Sequence, residues 1–178
     1  QFNLGEQYYN ATDWEKAVKW YRLAAEQGFD AAQFSLGEVY RRGYGVSQDD
    51  TEAVKWYRLA AEQGHVDAQF NLGYRYDSGE GVPEDDTEAV KWYRLAAEQG
   101  HFQAQYELGR LLDSFYKGDR SGLTNKEAVK WYRMAATNPA KDQNEYTFEN
   151  SYYIHVFFYL GVIYDSGKGV THDYTEAM

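Results

Sequence analysis

The sequence DDTEAVKWYRLAAEQGH, from Asp49 to His65, occurs a second time without change from Asp85 to His101, 36 residues later. Shorter copies, AVKWYRLAAEQG and AVKWYRMAA, begin at Ala17 and Ala128. A second motif, centred on Leu-Gly, alternates with these copies at residues 4, 36, 72, 108 and 160. Two alternating motifs that repeat about every 36 residues indicate a repeat protein in which each unit is a pair of helices.

The two motifs carry the signals of two helices, named here helix A (the Leu-Gly motif) and helix B (the AVKWYR motif). Helix B is predicted to begin at a capping box, as at Asp49 and Glu52, and to end at a glycine with positive φ, as at Gly64. The first helix B departs from this pattern, and Thr12 with Glu15 offers a substitute cap one residue before Asp13. Equivalent boxes are predicted at Asp85, Thr124 and Asp173, and equivalent glycines at 28 and 100.

Packing faces can be read from the same helices. Helix A places Ala68, Leu72 and Tyr76 on one stripe, and a glycine follows the leucine in every copy. Because a glycine inside a helix costs about 1 kcal/mol relative to alanine, its return predicts a close contact with no room for a side chain. One face of helix B combines small residues with a tyrosine, namely Ala89, Tyr93, Ala96 and Ala97.

Residues 68–101 follow the pattern A-Q-x-x-L-G-x-x-Y-x-x-G-x-G-V, an acidic loop, and E-A-x-x-W-Y-x-x-A-A-E-Q-G-H. This pattern resembles the Sel1-like repeat, a relative of the tetratricopeptide repeat, over about residues 1–136 and 156–178. The resemblance implies an all-α fold, an α-solenoid of helix-turn-helix repeats forming a right-handed superhelix, in a single domain over 1–178. The expected units are 1–28, 29–64, 65–100, 101–136 and a partial unit at 150–178, with an insertion at 137–149.

Composition restricts the function further. The net charge of −10 argues against nucleic-acid binding, which needs a concentrated basic face. The chain has no cysteine, and its near-apolar run at 152–164 is too short to cross a bilayer. His65 and His101 hold equivalent repeat positions and are expected to be structural, while no histidine has a partner at metal-ligand spacing. We therefore expect no metal, no cofactor and no catalytic site.

The resemblance implies a protein–protein interaction scaffold or adaptor that binds a partner peptide or domain on the concave surface formed by helix A. Residues 37–72 and 73–108 agree at 25 of 36 positions, and the 11 differences avoid helix B and include Val39/Arg75 and Tyr44/Glu80. The residues expected to contact a partner are Phe34, Glu38, Phe70, Asn71, Tyr74, Tyr106 and Arg110. For Phe34, Phe70 and Tyr106, packing against the neighbouring repeat is the alternative.

The segment 137–155 adds 13 residues between a helix B and the next helix A. It either covers a repeat junction or forms a binding or self-association element through its aromatic residues, Tyr146, Phe148, Tyr152 and Tyr153. A helix A that begins near Asn150 is expected to place Tyr153, Phe157 and Leu160 along one side. The lysines and arginines of helix B are expected to form a solvated outer face balanced by nearby acidic residues.

Several possibilities stay open at this point. The aromatic groove could instead belong to a carbohydrate- or peptidoglycan-associated module, or the chain could be a regulatory domain of a larger enzyme. The repeat pattern is interrupted at both ends, so we expect a piece of a longer protein whose compartment (cytoplasm, periplasm or outside the cell) is open. Exposed repeat faces at the solenoid ends could self-associate. The resemblance implies adaptors in bacterial envelope assembly, signalling, host interaction or eukaryotic protein degradation, and the near-identical copies favour a bacterial origin.

Overall fold

The computed structural model describes residues 1–113, 125–138 and 155–162, and the regular secondary structure in these ranges is all helical. The A helices are α1 (Phe2–Asn10), α3 (Asp30–Arg42), α5 (Val66–Ser78) and α7 (Phe102–Leu112). The B helices are α2 (Trp14–Ala25), α4 (Asp50–Glu62), α6 (Asp86–Glu98) and α8 (Asn125–Ala136). A further helical segment covers residues 155–162. The predicted all-α repeat of helix pairs is confirmed.

The chain divides into two compact units, Gln1–Leu95 and Ala96–Met178. The first unit contains α1 to α5 and most of α6. The second contains α7, α8 and the helical residues 155–162. The single domain expected over residues 1–178, with its repeat boundaries, stays a prediction.

The beginnings of the B helices follow the predicted capping pattern. Asp49 accepts a hydrogen bond from the backbone N–H of Glu52 at 3.0 Å, and Asp85 accepts one from that of Glu88 at 3.1 Å. In the first repeat the cap is Asp13, which accepts from the backbone N–H of Lys16 at 3.4 Å. The substitute cap at Thr12 is therefore wrong, because Thr12 lies in the turn with φ 58°. The boxes predicted at residues 124 and 173 lie outside the described residues.

The glycine of each A helix lies against a tyrosine ring of its partner B helix. A Cβ at Gly37 would lie 2.7 Å from the ring of Tyr57, and a Cβ at Gly73 would lie 2.7 Å from the ring of Tyr93. Both tyrosines are fully buried. The predicted close contact is confirmed, and its partner is a side-chain ring, which fills the space that a methyl group would need.

Buried glutamines of the A helices connect consecutive repeats. The side-chain amides of Gln33 and Gln69 donate to the carbonyls of Ala25 and Ala61, each at 3.1 Å. These carbonyls lie in the last turn of the preceding B helix, and each also accepts a hydrogen bond at 3.0 Å from the backbone N–H of the helix-ending glycine, Gly28 or Gly64. The amide of Gln63 in turn donates to Oε1 of Gln33 at 2.7 Å. Each junction thereby satisfies polar groups that packing has removed from water.

The two histidines in equivalent positions cap the A helices. Nδ1 of His65 accepts a hydrogen bond from the backbone N–H of Ala68 at 3.3 Å, and Nδ1 of His101 accepts one from that of Ala104 at 3.2 Å. Their predicted structural role is confirmed. In the described ranges no three His, Cys, Asp or Glu side chains are grouped so that they could hold a metal ion. Nor does any helix there have the length and apolar character of a membrane span.

The helical segment 155–162 buries Val156, Tyr159 and Leu160 against the second unit. Phe157 and Phe158 are 59% and 61% exposed. The expectation that Phe157 shares a side with Leu160 is wrong, since the buried stripe runs through positions i, i+3 and i+4 from Val156. The insertion candidates Tyr146, Phe148, Tyr152 and Tyr153 lie outside the described residues.

Candidate partner-binding groove

The aromatic residues predicted on helix A differ in how far they are buried. Phe34 is half-buried and stacks on His65 of the next repeat, with ring centroids 4.7 Å apart. Phe70, also half-buried, lies 5.7 Å from the ring of Tyr93. Tyr106 is only 5% exposed and lies 6.0 Å from the ring of Tyr132. Tyr106 is therefore part of the core of the second unit and does not project from its surface.

Glu38 is the centre of a charged cluster on α3. Its carboxylate accepts from Nε and Nη2 of Arg41, at 3.0 and 2.7 Å, and forms an ion pair with Arg42 at 2.9 Å. The hydroxyl of Tyr57 donates to the same carboxylate at 2.5 Å. Burial opposes ionisation, but the hydrogen bonds from Arg41 and Tyr57 and the two positive charges hold the pKa of Glu38 below its usual value.

The other predicted residues are more exposed. Tyr74 is 42% exposed, and the guanidinium of Arg75 lies over its ring at 5.4 Å. The Asn71 amide donates to the carbonyl of Asp67 at 2.8 Å. Arg110 is half-buried, and its Nε pairs with Glu107 at 2.5 Å. Tyr74 and Asn71 thus add a ring and an amide to α5 in the first unit, while Arg110 lies on α7 in the second.

Some differences between repeats lie in the interior. Val39 is 1% exposed, and its counterpart Arg75 is 5% exposed. Arg75 pairs with Glu80 and lies 3.7 Å from Asp50 at the start of α4. These differences were predicted to lie on the side that faces a ligand, and that prediction is wrong for position 39/75. The reason is that the loop after helix A packs on the preceding helix B and covers this position.

One concave feature of the first unit is a cavity of about 300 Å³ between α1 and α3, called here the α1–α3 groove. Its lining residues are Glu6, Tyr9, Tyr21, Phe34, Ser35, Glu38 and Arg42. All of them except Tyr21 belong to A helices. The groove brings together Phe34 and Glu38, both predicted as partner contacts, which are only four residues apart on α3.

An aromatic cluster fixes one wall of the groove. The ring of Tyr9 meets Trp14 edge-on at 4.8 Å and lies 6.3 Å from Tyr44. Trp14 and Tyr44 stack on each other at 4.6 Å with an interplanar angle of 24°. Such contacts hold the ring of Tyr9 in place before any ligand arrives, which lowers the entropy cost of binding.

A carboxylate forms the polar part of the groove. The hydroxyl of Tyr21 donates to Oε1 of Glu6 at 2.6 Å. Burial and this hydrogen bond raise the pKa of Tyr21, so its hydroxyl stays a donor. Arg42 forms its ion pair with Glu38 and not with Glu6. The groove therefore offers an aromatic wall, an anchored carboxylate and a guanidinium at its edge.

Five of the groove residues are not among those predicted from the sequence, namely Glu6, Tyr9, Tyr21, Ser35 and Arg42. The predicted residues follow from patterns within single helices, whereas the cavity forms between two repeats. One available signal was the alignment of the repeats, which places Tyr9 where the next repeat has Arg41.

The basic residues of helix B are only partly a solvated face. Lys55 pairs with Glu52, as predicted for an outer surface. Arg22, however, donates to the hydroxyl of Tyr40 in the next A helix at 2.6 Å, and Arg58 donates to that of Tyr76. These arginines therefore also connect adjacent repeats.

The Sel1 repeat family model matches residues 1–29, 30–65, 66–101, 102–138 and 158–178. The chain belongs to the Sel1 repeat family. A Sel1 repeat protein from Oxalobacter formigenes is similar in structure, with a TM-score of 0.80 and 35% identity over 99% of this chain. The protein c5321, a protective antigen present in uropathogenic Escherichia coli strains and displaying an SLR fold, has a TM-score of 0.69 and 28% identity over 99% of this chain. A search of curated protein sequences finds no match.

Sel1 repeats are generally protein–protein interaction modules, and Sel1 repeat proteins are typically non-enzymatic scaffolds. This chain spans 66% of the Oxalobacter protein and 43% of c5321. It is thus comparable to a part of each of these relatives.

Proposed function

We propose that this chain is a scaffold or adaptor that binds a segment of a partner protein on the A-helix side of its first unit, with the α1–α3 groove at the centre of the contact. The observation that carries this proposal is the cavity of about 300 Å³ in which aromatic rings, a carboxylate and a guanidinium converge. Compact sites of this kind anchor protein interfaces through a few long side chains.

The size and lining of the groove fit a side chain of a peptide better than a folded surface. At about 30 Å³ for each water molecule, about ten waters would fill it, so one long side chain and a few bridging waters fit. Aromatic residues and arginine are enriched in the centre of protein interfaces, and here they occur together as Tyr9, Phe34 and Arg42.

The remaining predicted residues extend the proposed surface. Phe70, Asn71 and Tyr74 lie on α5, the A helix that follows α3 in the first unit. Arg110 on α7 and the aromatic residues of the insertion stay separate candidates. With Tyr106 in the core, the proposed surface depends on the polar and partly exposed side chains of α1, α3 and α5.

Peptide display provides the test. Random peptides are selected on the chain, and the enriched sequences are measured by fluorescence polarisation against Phe34→Ala and Arg42→Ala, whose folding is checked by circular dichroism. Lys19→Ala is the matched control, since Lys19 is exposed on α2 and lies outside the groove lining. We expect both groove variants to weaken binding by about tenfold or more, the effect of removing one good interface contact.

Two results would overturn the proposal. Enriched peptides that bind the groove variants and Lys19→Ala equally well would place the contact elsewhere. Failure of every peptide, together with glycan-array binding that is lost in Phe34→Ala, would identify a carbohydrate-binding module instead.

A further inference from the structure

Glu6 and Glu38 occupy the same position in consecutive A helices, directly after the glycine of each Leu-Gly motif. Each accepts a hydrogen bond from the buried tyrosine of its own B helix. Tyr21 donates to Glu6 at 2.6 Å, and Tyr57 donates to Glu38 at 2.5 Å. The two carboxylates therefore have the same position and the same internal hydrogen-bond donor.

The two sites differ in the cation that completes them. Arg41, three residues after Glu38, grips its carboxylate with two parallel hydrogen bonds, from Nε at 3.0 Å and from Nη2 at 2.7 Å. The residue three positions after Glu6 is Tyr9, which has no charge to offer. In the part of the chain that the structure describes, Glu6 has its hydrogen bond from Tyr21 and no ion pair. The α1–α3 groove opens at this incomplete site.

We propose that an arginine side chain of a partner segment enters the α1–α3 groove and binds Glu6 as Arg41 binds Glu38. This inference rests on the proposed function and names the side chain that the groove selects. The chain itself shows that a carboxylate at this position, held by a tyrosine hydroxyl, accepts the two-pronged geometry of a guanidinium. Lysine carries a single ammonium and lacks this fork.

The walls of the groove fit the rest of an arginine side chain. Tyr9 and Phe34 supply rings for its methylene stem and for the flat face of its guanidinium. Arg42 would repel the ligand if its charge were free, but it forms an ion pair with Glu38 at 2.9 Å. The charge of −10 on the whole chain adds long-range attraction for a basic segment.

The direct test uses a capped arginine (N-acetyl-arginine amide) as the probe. Two-dimensional NMR of the full chain is recorded during titration with this probe, with capped citrulline, which has the same shape but no charge, and with capped lysine. We expect saturable shifts for Glu6, Tyr9 and Phe34 with arginine, and affinities at least about tenfold weaker with citrulline and lysine, because charge-assisted hydrogen bonds are the stronger kind.

Two variants separate this site from a general acidic surface. Glu6→Gln keeps an acceptor for Tyr21 but removes the charge, and we expect it to abolish the arginine shifts. Tyr9→Arg supplies an internal guanidinium at the position of Arg41, and we expect it to close the site. Because Tyr9→Arg also removes ring contacts, its folding is checked by circular dichroism. If Tyr9→Arg does not fold, the result for Glu6→Gln alone tests the arginine site.

The outcomes distinguish this inference from the proposed function. If displayed peptides bind the groove but arginine-to-citrulline exchange in them changes nothing, the arginine site is wrong and the peptide-binding function stands. Arginine shifts that persist unchanged in Glu6→Gln would equally overturn the site. If no peptide binds and capped arginine produces no shift, both proposals fail.

Discussion

A single position shows how this repeat combines constancy with variation. The residue after the A-helix glycine is Glu6, Glu38, Tyr74 and Arg110 in successive repeats. The glycine before it is held constant by a tyrosine ring that leaves no room for a Cβ. The backbone is therefore fixed at this point, while the next side chain is free to carry a negative charge, a ring or a positive charge.

The glycine contact predicts that Gly73→Ala destabilises the chain. Alanine gains about 1 kcal/mol of helix propensity over glycine. Its Cβ would lie 2.7 Å from the buried ring of Tyr93, however, and overpacking of this kind costs about 1–3 kcal/mol or more. We expect a net loss of about 1 kcal/mol in urea unfolding. Ser78→Ala, at an exposed position of the same helix, is the control and should change stability little.

The turn before α2 contains a residue whose replacement by glycine should not destabilise the chain. Thr12 has φ 58°, a conformation that costs a β-branched residue about 1–2 kcal/mol. Thr12→Gly removes this strain. The greater freedom of glycine in the unfolded chain costs about 0.5–1 kcal/mol of folding free energy, which is no more than the strain removed. We therefore expect a melting temperature that is unchanged or higher. Ala11→Gly, one residue earlier at φ −84°, should lower it. A lower melting temperature for Thr12→Gly than for Ala11→Gly would contradict the strain.

The Glu38 cluster predicts a dependence on pH. The pKa of Glu38 is lowered by its partners, so its ionised form stabilises the fold above the usual glutamate pKa, and this stabilisation is lost as pH falls below about 4.5 toward the lowered value. We expect the wild-type chain to lose more stability than Glu38→Gln between pH 6 and pH 3, measured by urea unfolding. Gln7→Ala, changed at an exposed uncharged side chain, gives the reference profile. Parallel losses in the wild type and Glu38→Gln would contradict this assignment.

At the residue scale, features that recur in every repeat could be predicted from the sequence, whereas the burial of a side chain by residues distant in the sequence could not. The capping aspartates and the glycine contacts follow from local rules and are confirmed. Tyr106 was predicted on a surface because it aligns with Phe34, yet packing against Tyr132 and His155 buries it. Its burial depends on residues that lie far away in the sequence.

At the scale of elements, glutamine side chains of the A helices form hydrogen bonds with the last turn of the preceding B helix, so the same bonds lie at a helix end and at a junction between helices. The Gln69 amide donates to the carbonyl of Ala61 in the last turn of α4, as the Gln105 amide does to that of Ala97 in α6. In the second unit Asn138 donates to Oε1 of Gln105 at 2.9 Å, the role that Gln63 has toward Gln33. A polar side chain inside each junction therefore fixes how a helix A meets the preceding helix B.

These amides predict that Gln69→Leu weakens the junction although it makes the interior more apolar. Removing the donor leaves the carbonyl of Ala61 with only the backbone N–H of Gly64, and the loss of one such hydrogen bond costs about 0.5–1.5 kcal/mol. We expect a lower urea midpoint and faster hydrogen exchange in the last turn of α4. Gln7→Leu, on an exposed side of α1, is the matched control. Equal midpoints for the two variants would show that the amide does not stabilise the junction.

The loops that follow the A helices show that junctions of the same geometry can use different chemistry. After α3, Tyr44 stacks on Trp14 at the start of α2. After α5, Glu80 takes the equivalent position and pairs with the buried Arg75 near Asp50 of α4. In the sequence, Val39/Arg75 and Tyr44/Glu80 are two separate differences between successive repeats. Only the packed structure shows that Val39 and Tyr44 lie at one junction, and Arg75 and Glu80 at the next.

At the scale of the whole molecule, the acidic charge and the groove point to the same class of partner. A chain with a net charge of −10 attracts basic segments over about 8 Å at physiological ionic strength. Peptide binding that depends on Glu6 should therefore weaken as salt is raised. The repeat architecture could be predicted from the sequence, since identical units impose identical helices. The groove could not be predicted in this way, because it forms between the first two repeats, which differ at the equivalent positions Tyr9 and Arg41.

The most direct measurement is NMR mapping of a displayed peptide on the isotope-labelled full chain. We expect the largest shifts in α1 and α3, at Glu6, Tyr9, Phe34 and Glu38. We also expect intermolecular contacts that join an arginine of the peptide to Tyr9 and Phe34. Largest shifts on the outer positions of the B helices, such as Lys19 and Lys55, with α1 and α3 unchanged, would contradict this expectation.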